Sequence, residues 1–343
     1  MADRHDIELP SRRSFLAWLA AGSFGLGSGT ALSGCSSTDV TRSSGQVTRP
    51  SGPANPAAPP PVAITVQQAP EFDGSDSLDV IDFLAEQIGP REGTSDAFHR
   101  AADWVSERFA DLGYDVTRDD VPVPEGDPAY RPEWGTVIEP GTSANVIADP
   151  PGFDATRPHA VIGAHLDTVG VAPGAEDNAS GIGVVLELAR MLAEWPADVP
   201  VRLVAFGAEE PRGPGDSMHH FGSQQLVRNL SEAVREAVIG MVSLDRVGVR
   251  ASGVPVGWGG RGPLQVVDAL LELADDADIP AAQGDNRSSD HWSFEKAGIA
   301  AARLGSVPYT AYHSARDVPG VIDPDQVVRA GRLTDAWLRS LVA

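Results

Sequence analysis

The sequence predicts an α/β protein, a three-layer α/β/α sandwich around a mixed, mostly parallel central sheet. Two observations carry that prediction. Short apolar runs alternate with helical stretches from about residue 75 onward. Polar side chains able to bind a ligand stand where one apolar run after another stops. In a parallel sheet the carboxyl ends of the strands share a rim, and ligands bind there.

Taken in order, residues 78–84 have helical spacing, and Gly89-Pro90 ends that helix. Ser95 is placed to cap a second helix over 96–112, which Gly113 stops. Residues 115–122 alternate like a strand. Buried-strand runs follow at 145–148, 160–164, 201–206, 238–244 and 300–304. Helical stretches separate and follow them at 181–194, 223–236, 263–274 and 324–342. There is no internal repeat.

Composition narrows the function. A hydrophobic fraction of 42% is ample for a packed core. The formal charge of −22 and the lack of any basic stripe argue against nucleic-acid binding. Cys35 is the single cysteine, so an intramolecular disulfide is impossible and any metal must be held by His, Asp and Glu.

The first 74 residues read as address and tether. Arg12-Arg13 precedes a weakly hydrophobic, uncharged stretch and resembles a twin-arginine export signal. Leu32-Ser33-Gly34-Cys35 resembles a bacterial lipobox, in which the cysteine is lipidated after cleavage before it. Residues 1–34 are thus expected to be a signal peptide. Residues 35–74 are expected to be a lipidated Cys35 and a flexible Pro/Ser/Ala spacer, poor in large aliphatics. Residues 75–343 are expected to form the folded domain, which carries whatever chemistry the chain performs. The expected location is the outer face of the cell membrane, with lipid at Cys35 as the membrane contact and a monomeric chain.

The rim residues are His165 and Asp167 after 160–164, Glu209-Glu210 after 201–206, Asp245 after 238–244, and Tyr312-His313 after 300–304. Asp177 lies in a loop leading into an apolar helix. Each has an ordinary reading as well. Asp177 is a possible helix N-cap or turn residue, although Ser180 can take that place. Glu209-Glu210 can be a solvated pair, although two adjacent carboxylates at a buried strand end repel unless a divalent cation holds one. His165 can be a satisfied core histidine. Asp167, two residues on, can fix its tautomer. Their joint occurrence is what points to a metal centre.

Together these segments resemble the secreted bacterial dizinc aminopeptidases, which are related to glutamate carboxypeptidases and the transferrin receptor. The motifs that carry the likeness are Gly163-Ala164-His165-Leu166-Asp167, Asp177-Asn178-Ala179-Ser180-Gly181, Ala208-Glu209-Glu210, Ser243-Leu244-Asp245, Ser289-Asp290-His291 and Tyr312-His313-Ser314. The likeness implies a zinc-exopeptidase fold with two zinc ions. His165, Asp177 and Asp245 would hold the first; Asp177, Glu210 and His313 the second. Asp167 would orient His165, Glu209 would be the general base, and Tyr312 would stabilise the tetrahedral intermediate. Asp290 would support the site from behind, and the substrate would be a peptide with a free N-terminus.

Two departures stand out. The segment 211–220 is longer than the family pattern and contains His219 and His220, and a third metal there is not needed to complete the ligand set. Arg287-Ser288-Ser289-Asp290 carries an additional serine, with Arg287 a weak candidate for substrate contact. A carboxypeptidase or other amidohydrolase would need arginines such as Arg287, Arg303 and Arg316 near the site. Glutaminyl cyclase chemistry uses a single zinc and fits less well. A lipid-anchored binding protein without catalysis would require lost ligands, and none is lost.

Overall fold

The computed structural model describes residues 70–342. The expected signal peptide, Cys35 and the spacer up to residue 69 lie outside the described residues. Among the described residues no helix is long and apolar enough to cross a membrane.

Eight strands form one sheet: β1 (Asp115–Val123), β2 (Gly141–Asp149), β3 (His159–His165), β4 (Val201–Phe206), β5 (Val238–Asp245), β6 (Val254–Trp258), β7 (Ala281–Asp285) and β8 (Ala301–Gly305). Their spatial order is β1-β2-β4-β3-β5-β8-β6-β7. The middle four, β4, β3, β5 and β8, run parallel, whereas β2 and β6 join this block antiparallel. Every residue of β3 is buried, as expected for a strand covered on both faces.

Side chains leave the sheet with period two. Ile162, Leu203, Val242 and Ala302 join one core, and Val161, Val204, Met241 and Ala301 the other. Helices α1 (Ser75–Asp82), α2 (Asp96–Asp111), α3 (Ser180–Glu194), α6 (Gln265–Asp276) and α8 (Pro324–Ser340) pack on the first core. Leu226 and Val227 of α4 (Phe221–Asn229) and Phe294 of α7 (His291–Lys296) cover the second. The three layers anticipated from the sequence are present.

Some elements differ from expectation. The helix read over 223–236 is two helices, α4 and α5 (Glu232–Ala237), because Ser231 caps a new start by accepting from the Val234 N–H. Strands β6 and β7 were not anticipated. The first contains Pro255, and the second is short, polar and exposed.

The packed domain also includes residues before Ser75. Phe72 is 1% exposed. Its ring fills space left by Gly331 of α8, where a Cβ would lie 2.1 Å from the aromatic carbon. The buried Glu187 carboxylate accepts from the backbone N–H groups of Asp73, Gly74 and Ser77 and from the Ser77 hydroxyl. Residues 70–74, expected as spacer, therefore belong structurally to the domain.

Candidate metal centre

Four adjacent parallel strands deliver the site to one rim. His165 is the last residue of β3 and Asp245 the last of β5. Glu209 and Glu210 follow β4 through Gly207-Ala208. His313 comes from the loop after β8, and Asp177 from the segment just before α3, where the Asp177–Asn178 peptide is cis.

The side chains converge. One Asp177 oxygen, Oδ1, lies 3.2 Å from His165 Nε2, and the other, Oδ2, lies 3.2 Å from His313 Nε2. Asp245 Oδ1 stands 3.7 Å from His165 Nε2, and Glu210 Oε2 3.1 Å from His313 Nε2. Two ligands of a tetrahedral zinc with bonds of about 2.0–2.1 Å are separated by roughly 3.3 Å. These spacings suit two neighbouring cations with Asp177 shared between them. Glu209 also lies close to His165 and Asp245, so its carboxylate reaches the same space.

Buried polar atoms test the fit independently. Glu210 Oε1 is buried without a hydrogen-bond partner, and His313 Nε2 is buried against two carboxylates without hydrogen-bond geometry to either. Orphaned groups of this kind are costly unless something coordinates them. An all-imidazole-and-carboxylate donor set suits zinc.

Electrostatics point the same way. Burial disfavours a charged imidazole, yet Glu209, Asp177 and Asp245 raise His165 well above its ordinary value. Glu210 and Asp177 likewise overcome burial and lift His313 to about 10. Burial pushes up Glu209, and neighbouring carboxylates add to it. Burial would also raise Asp177 and Asp245. Instead the two imidazoles hold Asp177 well below the usual carboxylate range, and Arg303, 2.8 Å from Asp245, does the same there. The pocket calls for positive charge.

Surrounding residues fix the ligands in place. Asp167 was expected to orient His165 with its carboxylate. The ring Nδ1 meets the Asp167 carbonyl at 3.1 Å instead, with the carboxylate at 3.8 Å. That carboxylate is occupied by the N–H groups of Glu209 and Glu210 and so sets the Glu209-Glu210 turn. Ser180 does not cap α3; it is the first helical residue, and Asn178 Oδ1 accepts the Gly181 N–H. Asp290 is fully buried, and burial beside Glu209 raises it well above its usual value.

Several supporting residues gave no signal in the sequence. Asp317 accepts from the N–H groups of Glu176 and Asp177 and from the Tyr309 hydroxyl. Arg91, fully buried, donates to the carbonyls of Leu166, Pro173 and Gly174 in the loops carrying His165 and Asp177. Ala208, His220, Arg246 and His313, all non-glycine, hold φ of 50°, 57°, 57° and 50° beside the site. Left-handed backbone costs such residues roughly 1–2 kcal/mol each, and strain of this sort gathers at functional sites.

A cavity of about 250 Å³ opens over the ligands, lined among others by Tyr130, Trp134, His220, Arg246 and Tyr312. Tyr312 is 43% exposed, stacks on His313 with centroids 3.7 Å apart, and lies under the Arg246 guanidinium at 4.5 Å. Of the three arginines considered for a substrate carboxylate, only Arg303 lines the cavity, and it is paired with Asp245. Arg287 sits over Trp292 and donates to the Gly259 carbonyl, and Arg316 donates to the Thr310 carbonyl.

Comparison with known proteins agrees with this architecture. The chain is 33% identical over 208 residues to the aminopeptidase YwaD of Bacillus subtilis, covering 57% of this chain and 44% of that protein. It is 31% identical over 175 residues to the uncharacterized protein YfbL of Escherichia coli, covering 48% and 47%. The chain thus spans about half the length of the curated relatives it matches. A zinc aminopeptidase from Bacillus subtilis shares the fold with a TM-score of 0.67 at 20% identity, over 79% of this chain and 95% of that one. A glutaminyl cyclase from Bacteroides thetaiotaomicron does so at 0.68 and 18%, over 80% and 100%. The sequence profile of peptidase family M28 matches residues 145–338, the stretch from β2 to α8 that carries the whole ligand constellation. The chain therefore belongs to peptidase family M28.

Proposed function

We propose that the protein is a zinc-dependent aminopeptidase that uses two ions to hydrolyse the first peptide bond of substrates with a free N-terminus. The observation that carries this reading is Asp177, which turns one oxygen to each of two imidazoles. His165, Asp177 and Asp245 would hold one ion; Asp177, Glu210 and His313 the other. Zinc held by these residues would supply Lewis acidity, lowering the pKa of a water and polarising the scissile carbonyl. Glu209, reaching the cavity beside the ligands, takes the proton of that water and passes it to the departing amine. Tyr312 donates its O–H to the developing oxyanion, a contact that strengthens in the transition state. The concentration of carboxylates attracts the substrate ammonium. Export by the twin-arginine-type signal and lipid attachment at Cys35 belong to the same proposal, as does a monomeric state.

The test is to incubate the purified full chain with zinc and a panel of aminoacyl anilides. Release from free but not N-blocked substrates supports the reading. Cleavage of N-blocked dipeptides instead would favour a carboxypeptidase, with Arg246 the guanidinium left to receive a carboxylate. Glu209→Gln is expected to retain both zinc ions while kcat falls about 10²- to 10⁴-fold. Asp177→Asn is expected to lose metal, because it removes charge from both sites; elemental analysis checks each.

A further inference from the structure

Two guanidiniums line the cavity, and they differ in what holds them. Arg303 is committed to the protein. It lies 2.8 Å from Asp245, and its Nη1 donates to Asn286 Oδ1 and to the Ser288 carbonyl. Arg246 is largely uncommitted. Its Nη2 donates to Ser306 Oγ at 2.8 Å. Its Nε stands 3.8 Å from Asp245 Oδ1, beyond hydrogen-bond reach, and its Nη1 has no hydrogen-bond partner among the described residues.

The backbone fixes where this side chain starts. The Arg246 N–H donates to Asn178 Oδ1, and its carbonyl accepts from the Ser306 N–H. The residue is thus clamped between the segment carrying Asp177 and the turn after β8. Its guanidinium lies over the Tyr312 ring, and its side chain is 12% exposed.

We propose that Arg246 sets the specificity of the site by receiving a substrate carboxylate, the side chain of an N-terminal Asp or Glu. The inference rests on the aminopeptidase reading, in which Tyr312 meets the scissile carbonyl. That carbonyl belongs to the N-terminal residue itself, so the side chain of the same residue branches off beside it and reaches the space near the Tyr312 ring. A largely buried positive charge is costly unless an anion meets it. Asp177 and Asp245 are the carboxylates whose charge Arg246 feels most. As metal ligands both are shared with cations, and Asp245 is shared with Arg303 as well. An arriving carboxylate balances the guanidinium and takes its unused donors in charge-assisted hydrogen bonds. A lysine or arginine side chain in the same place is repelled, and a leucine leaves the charge unmet.

The experiment sets L-glutamyl against L-glutaminyl para-nitroanilide on the zinc-loaded full chain, a pair of nearly equal shape that differs in charge. We expect kcat/KM to favour the glutamyl substrate by roughly ten- to a hundredfold, mostly through KM. Arg246→Met is expected to bring that ratio within about twofold of unity, whatever it does to both rates by freeing the Tyr312 ring, and Arg246→Lys to restore part of it. A wild-type ratio near unity overturns the proposal and leaves the aminopeptidase reading standing, and so does a ratio that Arg246→Met leaves unchanged. Cleavage of N-blocked dipeptides only when their C-terminal carboxylate is free would give Arg246 the other source of that group and overturn both. A wild type that turns over neither anilide refutes the aminopeptidase reading, and calorimetry with the free amino acids then decides the carboxylate site. L-glutamate bound about tenfold or more tighter than L-glutamine, with the gap lost in Arg246→Met, supports it, and equal affinities overturn it.

Discussion

Arg91 touches none of the proposed ligands, yet its guanidinium holds the backbone on either side of them. Its charge is buried among carbonyls, and burial holds its pKa down to about 10. Arg91→Leu would leave those carbonyls without donors, each costing about 1–3 kcal/mol when buried. We expect this variant to lose roughly 3–5 kcal/mol by denaturant titration and to bind zinc more weakly, since the loops of His165 and Asp177 are no longer tied together. An unchanged unfolding midpoint would count against this role. Four of the five ligands were legible in the sequence because each comes after an apolar run, and Asp177 because it precedes an apolar helix; position beside such a run is information a linear sequence contains. Arg91, Trp134, Arg246 and Asp317 were not legible. They reach the site from turns without periodicity, and only the fold shows that those turns meet. Asp167 illustrates a subtler limit: its proximity to His165 could be read, but not that the backbone N–H groups of Glu209 and Glu210 claim its carboxylate first.

At the level of elements, the sequence resolved the strands marked by an apolar run or a clear alternation, β1 included, and missed β6 and β7, which have neither. The parallel block β4-β3-β5-β8 consists of near-continuous apolar runs, whereas β7 is Ala281-Ala282-Gln283-Gly284-Asp285, with no apolar pattern to mark it. The helix pair α4–α5 was merged because Ser231 was not recognised as a cap. The start of the domain was set too late because Phe72 is a lone aromatic in a Pro- and Ala-rich neighbourhood. Its importance can be measured. Phe72→Ala removes a fully buried ring beside Gly331 and is expected to destabilise by about 3–5 kcal/mol. A loss below about 1 kcal/mol would mean that this segment is not part of the cooperative unit.

Across the whole molecule, pH acts through histidines away from the metal ligands. His291 is fully buried, its Nε2 2.9 Å from the Asn286 carbonyl, and burial pushes its pKa down to about 3. The unfolded chain titrates near 6.5, so unfolding takes up a proton between those values. The stability gained by keeping this ring neutral is complete above about pH 6.5 and is lost as the pH falls toward 3. Between pH 7 and 5 it amounts to about 2 kcal/mol. His291→Gln should therefore lose about 2 kcal/mol less than the wild type over that interval, and equal losses would refute the assignment. The outer strands carry a further consequence. An unpaired strand edge is a template onto which another chain can add. Here β1 exposes Asp115, Arg118, Asp120 and Pro122 at one end, and β7 exposes Gln283 and Asp285 at the other. Proline cannot donate to a new ladder, and charged side chains on both edges disfavour the addition of another strand. Fibrillar stacking through the sheet is thereby discouraged.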